Sequence, residues 1–234
     1  MRTLKTPIAD IFCSVQGEGL YAGQRQVFLR FAGCNLACSY CDEPAALDNA
    51  SAYGLLPAEA AALVVKLARA GKAKAVSFTG GEPLLHWRFI TAVAPALKKA
   101  GLRLHLETNG VLHRALGRVE KLADVIAMDI KLPSSTGQRA FWREHEKFLA
   151  RAPQKTFIKV VVTSKTKMSD LKKAVALAAA VRPGVPFFIQ PATARRGGAR
   201  PPGAKFVEEA CCYAASVLSR VKVLPQQHPL WGVK

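Results

Sequence analysis

Strand-like and helix-like segments alternate along this chain, and that alternation limits its folding more than any other feature. Leu102, Leu104 and Leu106 alternate with Arg103 and His105, the period-two pattern of a strand. Val27–Phe31, Ala75–Phe78, Val125–Ile130, the strongly β-branched Phe157–Val162 and Phe187–Ile189 read as further strands. Between them, Leu56–Ala70 carries Ala60, Leu63, Val64 and Leu67 at helical spacing, with Gly71 placed to stop the helix. Other helices are expected over His86–Ala100, where Pro95 should kink the helix or shift its start, and around Phe141–Leu149. Two more are expected from Asp170 to Val181, capped by Ser169, and from about Val207 to Leu218. A short segment near Val221–Leu224 completes the chain. The order predicts an α/β fold with a mostly parallel sheet: a partial, open βα barrel of about six parallel strands.

The 234 residues, half of them hydrophobic, suffice for one buried domain spanning residues 1–234, with short N-terminal and C-terminal extensions. No run of eighteen apolar residues occurs, and the start MRTLKTPIADIF lacks the apolar core and cleavage site of a signal peptide, so a cytoplasmic location is expected. The net charge of +18 attracts anions of every kind without choosing among them. Nucleic acid is not expected as a partner, because no RNA-binding fold or stacking platform accompanies the charge. The Arg-, Gly- and Pro-rich stretch Ala194–Lys205 reads as an exposed loop.

Six cysteines in such a chain argue against a disulfide framework. Three of them, Cys34, Cys38 and Cys41, fall in GCNLACSYCD with the spacing C-x₃-C-x₂-C. Thiolates are the usual ligands of iron–sulfur clusters, and four normally close a [4Fe–4S] cube. Three in one short loop leave the fourth iron open to a substrate or cofactor. A structural zinc site would draw a second Cys or His pair at similar spacing, and none is present. Cys211 shares an apolar stripe with Val207, Ala214 and Leu218 and reads as core, and packing is the default for Cys13 and Cys212.

C-x₃-C-x₂-C with an aromatic residue, Tyr40, before the last Cys resembles the radical S-adenosylmethionine superfamily. The resemblance implies that the cofactor's amino and carboxylate groups chelate the open iron, and that one electron from the cluster then releases a 5′-deoxyadenosyl radical. Thr79-Gly80-Gly81-Glu82-Pro83 resembles the superfamily's GGEP motif, which holds the methionine amino group. Glu107, Asp129-Ile130-Lys131 and Gln190-Pro191-Ala192-Thr193 stand where members of the superfamily contact the rest of the cofactor, and Tyr40 and Asp42 would border it.

The preceding run, SVQGEG…G…FLRFAGCNLACSYCD, is similar to the 7-carboxy-7-deazaguanine synthase family. That family contracts 6-carboxy-5,6,7,8-tetrahydropterin to 7-carboxy-7-deazaguanine with loss of ammonia, for modified tRNA bases. The resemblance puts Val15, Gln16, Gly17, Glu18 and Arg30 at the substrate, with Thr79 beside them. The residue types suit this: Gln16 offers a donor and an acceptor to a pterin edge, and Arg30 can hold a carboxylate with two hydrogen bonds. The end of the chain, from Gln226 to Lys234, resembles the family's tail, which turns back toward the substrate and would bring His228 and Lys234 there. A homodimer and a flavodoxin-like electron donor follow from the same resemblance.

One residue departs from the pattern. Family members usually carry Thr after the Asp of CD, where it binds a Mg²⁺ that touches the substrate; here the position is Glu43. Three outcomes stay open: Mg²⁺ bound differently, Mg²⁺ replaced by a salt bridge, or a changed substrate. The alternative enzymes are an activase that installs a glycyl radical in a partner protein and a radical S-adenosylmethionine enzyme acting on a related small carboxylated heterocycle; the non-enzymatic alternatives are an iron–sulfur electron carrier or a basic RNA-binding module.

Overall fold

The computed structural model describes residues 4–47, 52–194 and 199–233. Among the described residues nine strands make one sheet: β1 (Thr6–Val15), β2 (Arg25–Phe31), β3 (Tyr53–Leu55), β4 (Ala75–Gly80), β5 (Arg103–Thr108), β6 (Val125–Asp129), β7 (Thr156–Val162), β8 (Phe187–Pro191) and β9 (Val221–Val223). Their order is β3-β1-β2-β4-β5-β6-β7-β8-β9, so the sheet is open at β3 and β9. From β2 to β9 every neighbouring pair is parallel. The parallel run therefore holds seven strands, the six expected and the short β9. The sequence reading missed the antiparallel flank, where β1 pairs with both β2 and β3. β1 carries Asp10 and Ser14 among apolar residues, is half-buried from Ala9 onward and shifts register between Ile8 and Asp10, so it lacks the clean apolar run that marks the inner strands.

The helices are α1 (Pro57–Gly71), α2 (Trp87–Lys99), α3 (His113–Val119), α4 (Pro133–Thr136), α5 (Trp142–Arg151), α6 (Met168–Val181) and α7 (Ala204–Val217). Except for the short α4, they pack side by side in sequence, α1 on α2, α2 on α3, α3 on α5, α5 on α6 and α6 on α7. Three local expectations need correction. Gly71 is the last helical residue of α1, and Lys72 takes the left-handed conformation that ends it. Pro95 sits on the exposed side of α2 and does not interrupt it. Ser169 lies inside the first turn of α6, and no side chain caps that helix; the neighbouring Asp170 carboxylate instead accepts a hydrogen bond from the Ser134 N–H at 2.9 Å.

Alternation along the strands separates the two faces of the sheet. Leu29, Phe31, Val76, Phe78, Leu104, Leu106, Ile126, Met128, Ile158, Val160 and Ile189 point to the helices and form one apolar core with them. Their neighbours, among them Arg30, Thr79, Glu107, Asp129, Lys159 and Gln190, belong to the opposite, inner face. Val125, Phe157 and Phe188 close the lower part of that face as a small apolar plug, and the polar residues lie above it toward the carboxyl ends of the strands.

Candidate active site

The cysteine loop leaves the end of β2 and is tied down by backbone and side-chain bonds. Ser39 donates from N–H and hydroxyl to the carbonyls of Thr136 and Ser135, at 2.9 and 3.0 Å, which docks the loop on α4. Gln138 holds the Ala37 carbonyl at 2.9 Å, and Asn109 donates to Asn35 at 2.8 Å. Cys34, Cys38 and Cys41 are all half-buried free thiols. Burial raises all three thiol pKa values, Cys38 to about 11, and Cys41 raises Cys34 while both raise Cys38. The three sulfurs therefore share one environment, as they would around a common group.

Gly80 and Gly81 pass directly beneath this loop. Gly81 donates to the Phe31 carbonyl at 3.0 Å and Glu82 to that of Gly33 at 2.9 Å. Gly80 has φ +124°, and a Cβ there would stand 2.1 Å from the Phe31 carbonyl oxygen, so only glycine permits this crossing. Glu82 is fully buried, and its carboxylate accepts from Leu84 N–H (3.0 Å), Thr108 hydroxyl (2.8 Å) and Asn109 N–H (2.8 Å). Burial nevertheless pushes Glu82 up to about 7. Within the chain these bonds clamp the end of β5 to the glycine turn and fix the carboxylate's orientation.

Two polar groups lie above the sheet. In the first, Glu107 accepts from Gln16 Nε2 (2.8 Å), Ser77 hydroxyl (2.6 Å) and Thr79 hydroxyl (3.1 Å), while Gln16 Oε1 accepts from Glu18 N–H at 3.0 Å. Glu107 thus stands with the expected substrate residues Gln16 and Thr79 rather than with the expected cofactor residues. Arg30, next to Thr79 in the strand register, lies 5.6 Å from the Phe12 ring centre and forms an ion pair with Glu43 at 3.5 Å.

The second group lines one cavity: Glu18, Tyr40, Asp42, Asp129, Lys131, Lys159, Gln190, Ala192, Thr193 and Gln226. Charges alternate across it. Glu18 pairs with Lys159, Lys159 with Asp129 at 3.5 Å, Asp129 with Lys131 at 2.8 Å, and Lys131 donates to the Tyr40 hydroxyl at 3.3 Å. Burial alone would raise Glu18, but Lys159 and the Gln226 amide outweigh it and hold the carboxyl at about 2. Burial would likewise lower Lys131, yet Asp129 and Tyr40 keep it well above the ordinary lysine range. Asp129 Oδ1 is buried without a hydrogen-bond partner, an open acceptor at the cavity wall.

Of the expected cofactor residues, Tyr40, Asp42, Asp129, Lys131, Gln190, Ala192 and Thr193 line this cavity. Ile130 does not: its side chain is fully buried in the core, and only its backbone stays near the site. Pro191 ends β8, and Ala192 bonds back to the Val162 carbonyl at 2.8 Å. Val15 ends β1, and Gly17 receives the tail: Gln227 N–H donates to the Gly17 carbonyl at 2.9 Å, with His228 packed against the same glycine. Lys234 and residues 195–198 of the basic loop lie outside the described residues.

Two residues escaped the sequence reading. Lys159 is the single charge in TFIKVVV, and period two puts it on the face of Phe157 and Val161, where an isolated lysine in a buried strand signals a site. Gln226 donates to Glu18 at 2.7 Å and to Asp42 at 2.8 Å while accepting from Thr193 at 2.6 Å, so the tail closes the cavity with one amide.

A three-cysteine loop at the carboxyl ends of an open parallel sheet defines a radical S-adenosylmethionine protein, and residues 29–166 match the family model of the Radical SAM superfamily. The chain is 38% identical over 246 residues to the 7-carboxy-7-deazaguanine synthase of Geobacter sulfurreducens, with 96% of each covered. It is 32% identical over 242 residues to the synthase of Methanopyrus kandleri, covering 95% of this chain and 92% of the relative. The crystal structure of QueE from Escherichia coli shares the fold, with a TM-score of 0.65 at 19% identity and 94% of each chain covered. The chain belongs to the 7-carboxy-7-deazaguanine synthase family.

Its cofactors are accordingly a [4Fe–4S] cluster and S-adenosylmethionine. The donor set suits them. Cys34, Cys38 and Cys41 stand as free, half-buried thiols in one loop, and thiolates are the usual ligands of iron–sulfur clusters. The unpartnered Asp129 Oδ1 offers an acceptor to a hydroxyl or ammonium of the second cofactor.

Proposed function

We propose that this chain, acting as a single domain, converts 6-carboxy-5,6,7,8-tetrahydropterin to 7-carboxy-7-deazaguanine with release of ammonia. The observation that carries the reading is the placement of Arg30 beside the Gln16–Glu107–Thr79 group, immediately behind the cysteine loop. An arginine for a carboxylate and an amide–carboxylate pair for a pterin edge stand together there. Cys34, Cys38 and Cys41 would hold the cluster, which with bound S-adenosylmethionine supplies a 5′-deoxyadenosyl radical able to take hydrogen from the pterin carbon that bears the carboxylate.

The remaining chemistry is positioning. Gly80 and Gly81 offer backbone to the methionine end of the cofactor, while Tyr40, Asp42, Asp129, Lys131, Gln190, Ala192 and Thr193 form the wall for the rest of it. Glu18, held as a carboxylate by Lys159, can accept from the amino-pyrimidine edge of the pterin. The tail, with His228 on Gly17, excludes water once Gln226 is in place. Holding both reactants against one another is worth more here than any protein-borne acid or base.

Family resemblance and the net charge of +18 support a flavodoxin-like, acidic electron donor; resemblance also supports a homodimer and a cytoplasmic location. Among the described residues no helix is long and apolar enough to cross a membrane. A partner-protein activase has no comparable support. The test is anaerobic incubation of cluster-loaded protein with reductant, S-adenosylmethionine and the carboxypterin. The deazapurine is expected by mass; cofactor cleavage without that product would reject the reading.

A further inference from the structure

The residue that separates this chain from its family's usual pattern, Glu43, stands two positions after Cys41 and forms an ion pair. Glu43 Oε1 lies 3.5 Å from Arg30 Nη1, with the arginine side chain 16% exposed and the glutamate 42%. A divalent cation on Glu43 would stand beside a guanidinium, in repulsion through a partly desolvated medium. The neighbouring Asp42 carboxylate already accepts from Gln226 at 2.8 Å. These residues do not fit the Mg²⁺ that the family pattern implies.

We propose that Arg30 and Glu43 together read the substrate without a divalent cation: Arg30 binds its carboxylate and Glu43 accepts the ring N–H next to it. The inference rests on the pterin reading above. In that substrate the carboxyl-bearing carbon is bonded to a secondary amine, so an anionic acceptor and an N–H donor lie side by side. An Arg–Glu pair has the reverse order of charge at the same scale. The pair's single contact uses Nη1 and leaves the other edge of the guanidinium, Nε and Nη2, for a carboxylate with two parallel hydrogen bonds. Glu43 is exposed enough to turn from Arg30 toward the ligand, whereas Arg30 is held in place by Phe12. Specificity follows from chemistry: a carboxylate lacking the adjacent N–H leaves Glu43 facing another anion, which costs binding.

The experiment uses cluster-loaded protein with S-adenosylmethionine and measures carboxypterin binding by calorimetry, in Mg²⁺ and in chelator. In parallel, Mn²⁺ is added as a paramagnetic stand-in and its bound signal followed with and without the pterin. Equal affinity in both buffers and no pterin-dependent Mn²⁺ signal are expected. Glu43→Ala should weaken pterin binding about tenfold, a loss of roughly 1.4 kcal/mol, regardless of Mg²⁺. Glu43→Thr should weaken it likewise in chelator. Pterin-dependent Mn²⁺ binding, or tighter binding by Glu43→Ala, would overturn the inference and leave the function standing. Absence of any carboxypterin binding would overturn both.

Discussion

The same strands present two faces that answer to different rules. On the helix side, Leu104, Leu106, Ile158 and Val160 are sealed in one apolar core, and each contributes by burial alone. On the inner side, displaced by one residue, Glu107, Asp129 and Lys159 are charged, half to nearly fully covered, and bound to polar residues of the same face and of the loops. The first face makes the sheet stable, and the second uses that rigidity to keep unlike charges within hydrogen-bond reach. A period of two thus divides stability from function along a single strand, and β7 shows it most plainly: Ile158 and Val160 belong to the core, Lys159 between them to the site.

The sharpest break of this division is expected at the loops above the inner face. Cys38→Ser should fold with an unchanged thermal midpoint, yet after anaerobic reconstitution show no iron–sulfur absorbance matching the parent and no turnover. A large loss of stability would mean that the loop is part of the core. The converse substitution lies on the helix face. Leu104→Ala should cost roughly 2–5 kcal/mol in denaturant unfolding because Leu104 is fully buried. Turnover per folded molecule should stay within about twofold of the parent.

What could be read before the structure follows from how local each signal is. The strands of the parallel run were legible because apolar runs need no partner to be recognised, and the cysteine loop because its spacing lies within eight residues. β1 was not, since an outer strand with Asp10 and Ser14 carries no clean period. α3 and α4 were missed because seven and four residues hold too few turns to show a periodicity. Glu82 was legible as part of a local motif, but its partners Thr108 and Asn109, at the end of the next strand, were not. Lys159 stood out as a lone charge in an apolar strand, but its partner and that of Gln226 were beyond reach, because the carboxylate that gives both their meaning, Glu18, is 141 and 208 residues away.

A smaller effect sharpens the inner face itself. Lys159→Met removes the cation shared by Glu18 and Asp129. It should cost about 2 kcal/mol near pH 7, with kcat/KM falling more than stability does. Glu18 in the folded protein sits at about 2, below its ordinary 4.5, so its stabilising contribution is complete above pH 4.5 and lost as pH falls toward 2. The stability gap between parent and variant should therefore narrow over that window in acid unfolding curves. A gap that stays constant to pH 2 would show that Lys159 acts by packing, as residues on the other face do.

The smallest effect expected concerns the tail, where the inner face is completed by chain rather than by strand. Gly17 has no room for a side chain: a Cβ would lie 2.6 Å from His228 Nδ1 and 2.7 Å from the His228 backbone nitrogen. Gly17→Ala must therefore push the tail outward and stretch the bond from Gln227 N–H to the Gly17 carbonyl, 2.9 Å in the parent. Because that strain falls on the last residues and not on the helix-side core, the unfolding midpoint should hold. Proteolytic trimming of the tail should quicken, and KM for the carboxypterin should rise about fivefold, roughly 1 kcal/mol, with kcat little changed. Faster trimming with an unaltered KM would show that the tail merely rests on the site; a rise in KM shows that the last wall of the substrate's enclosure is built by the end of the chain.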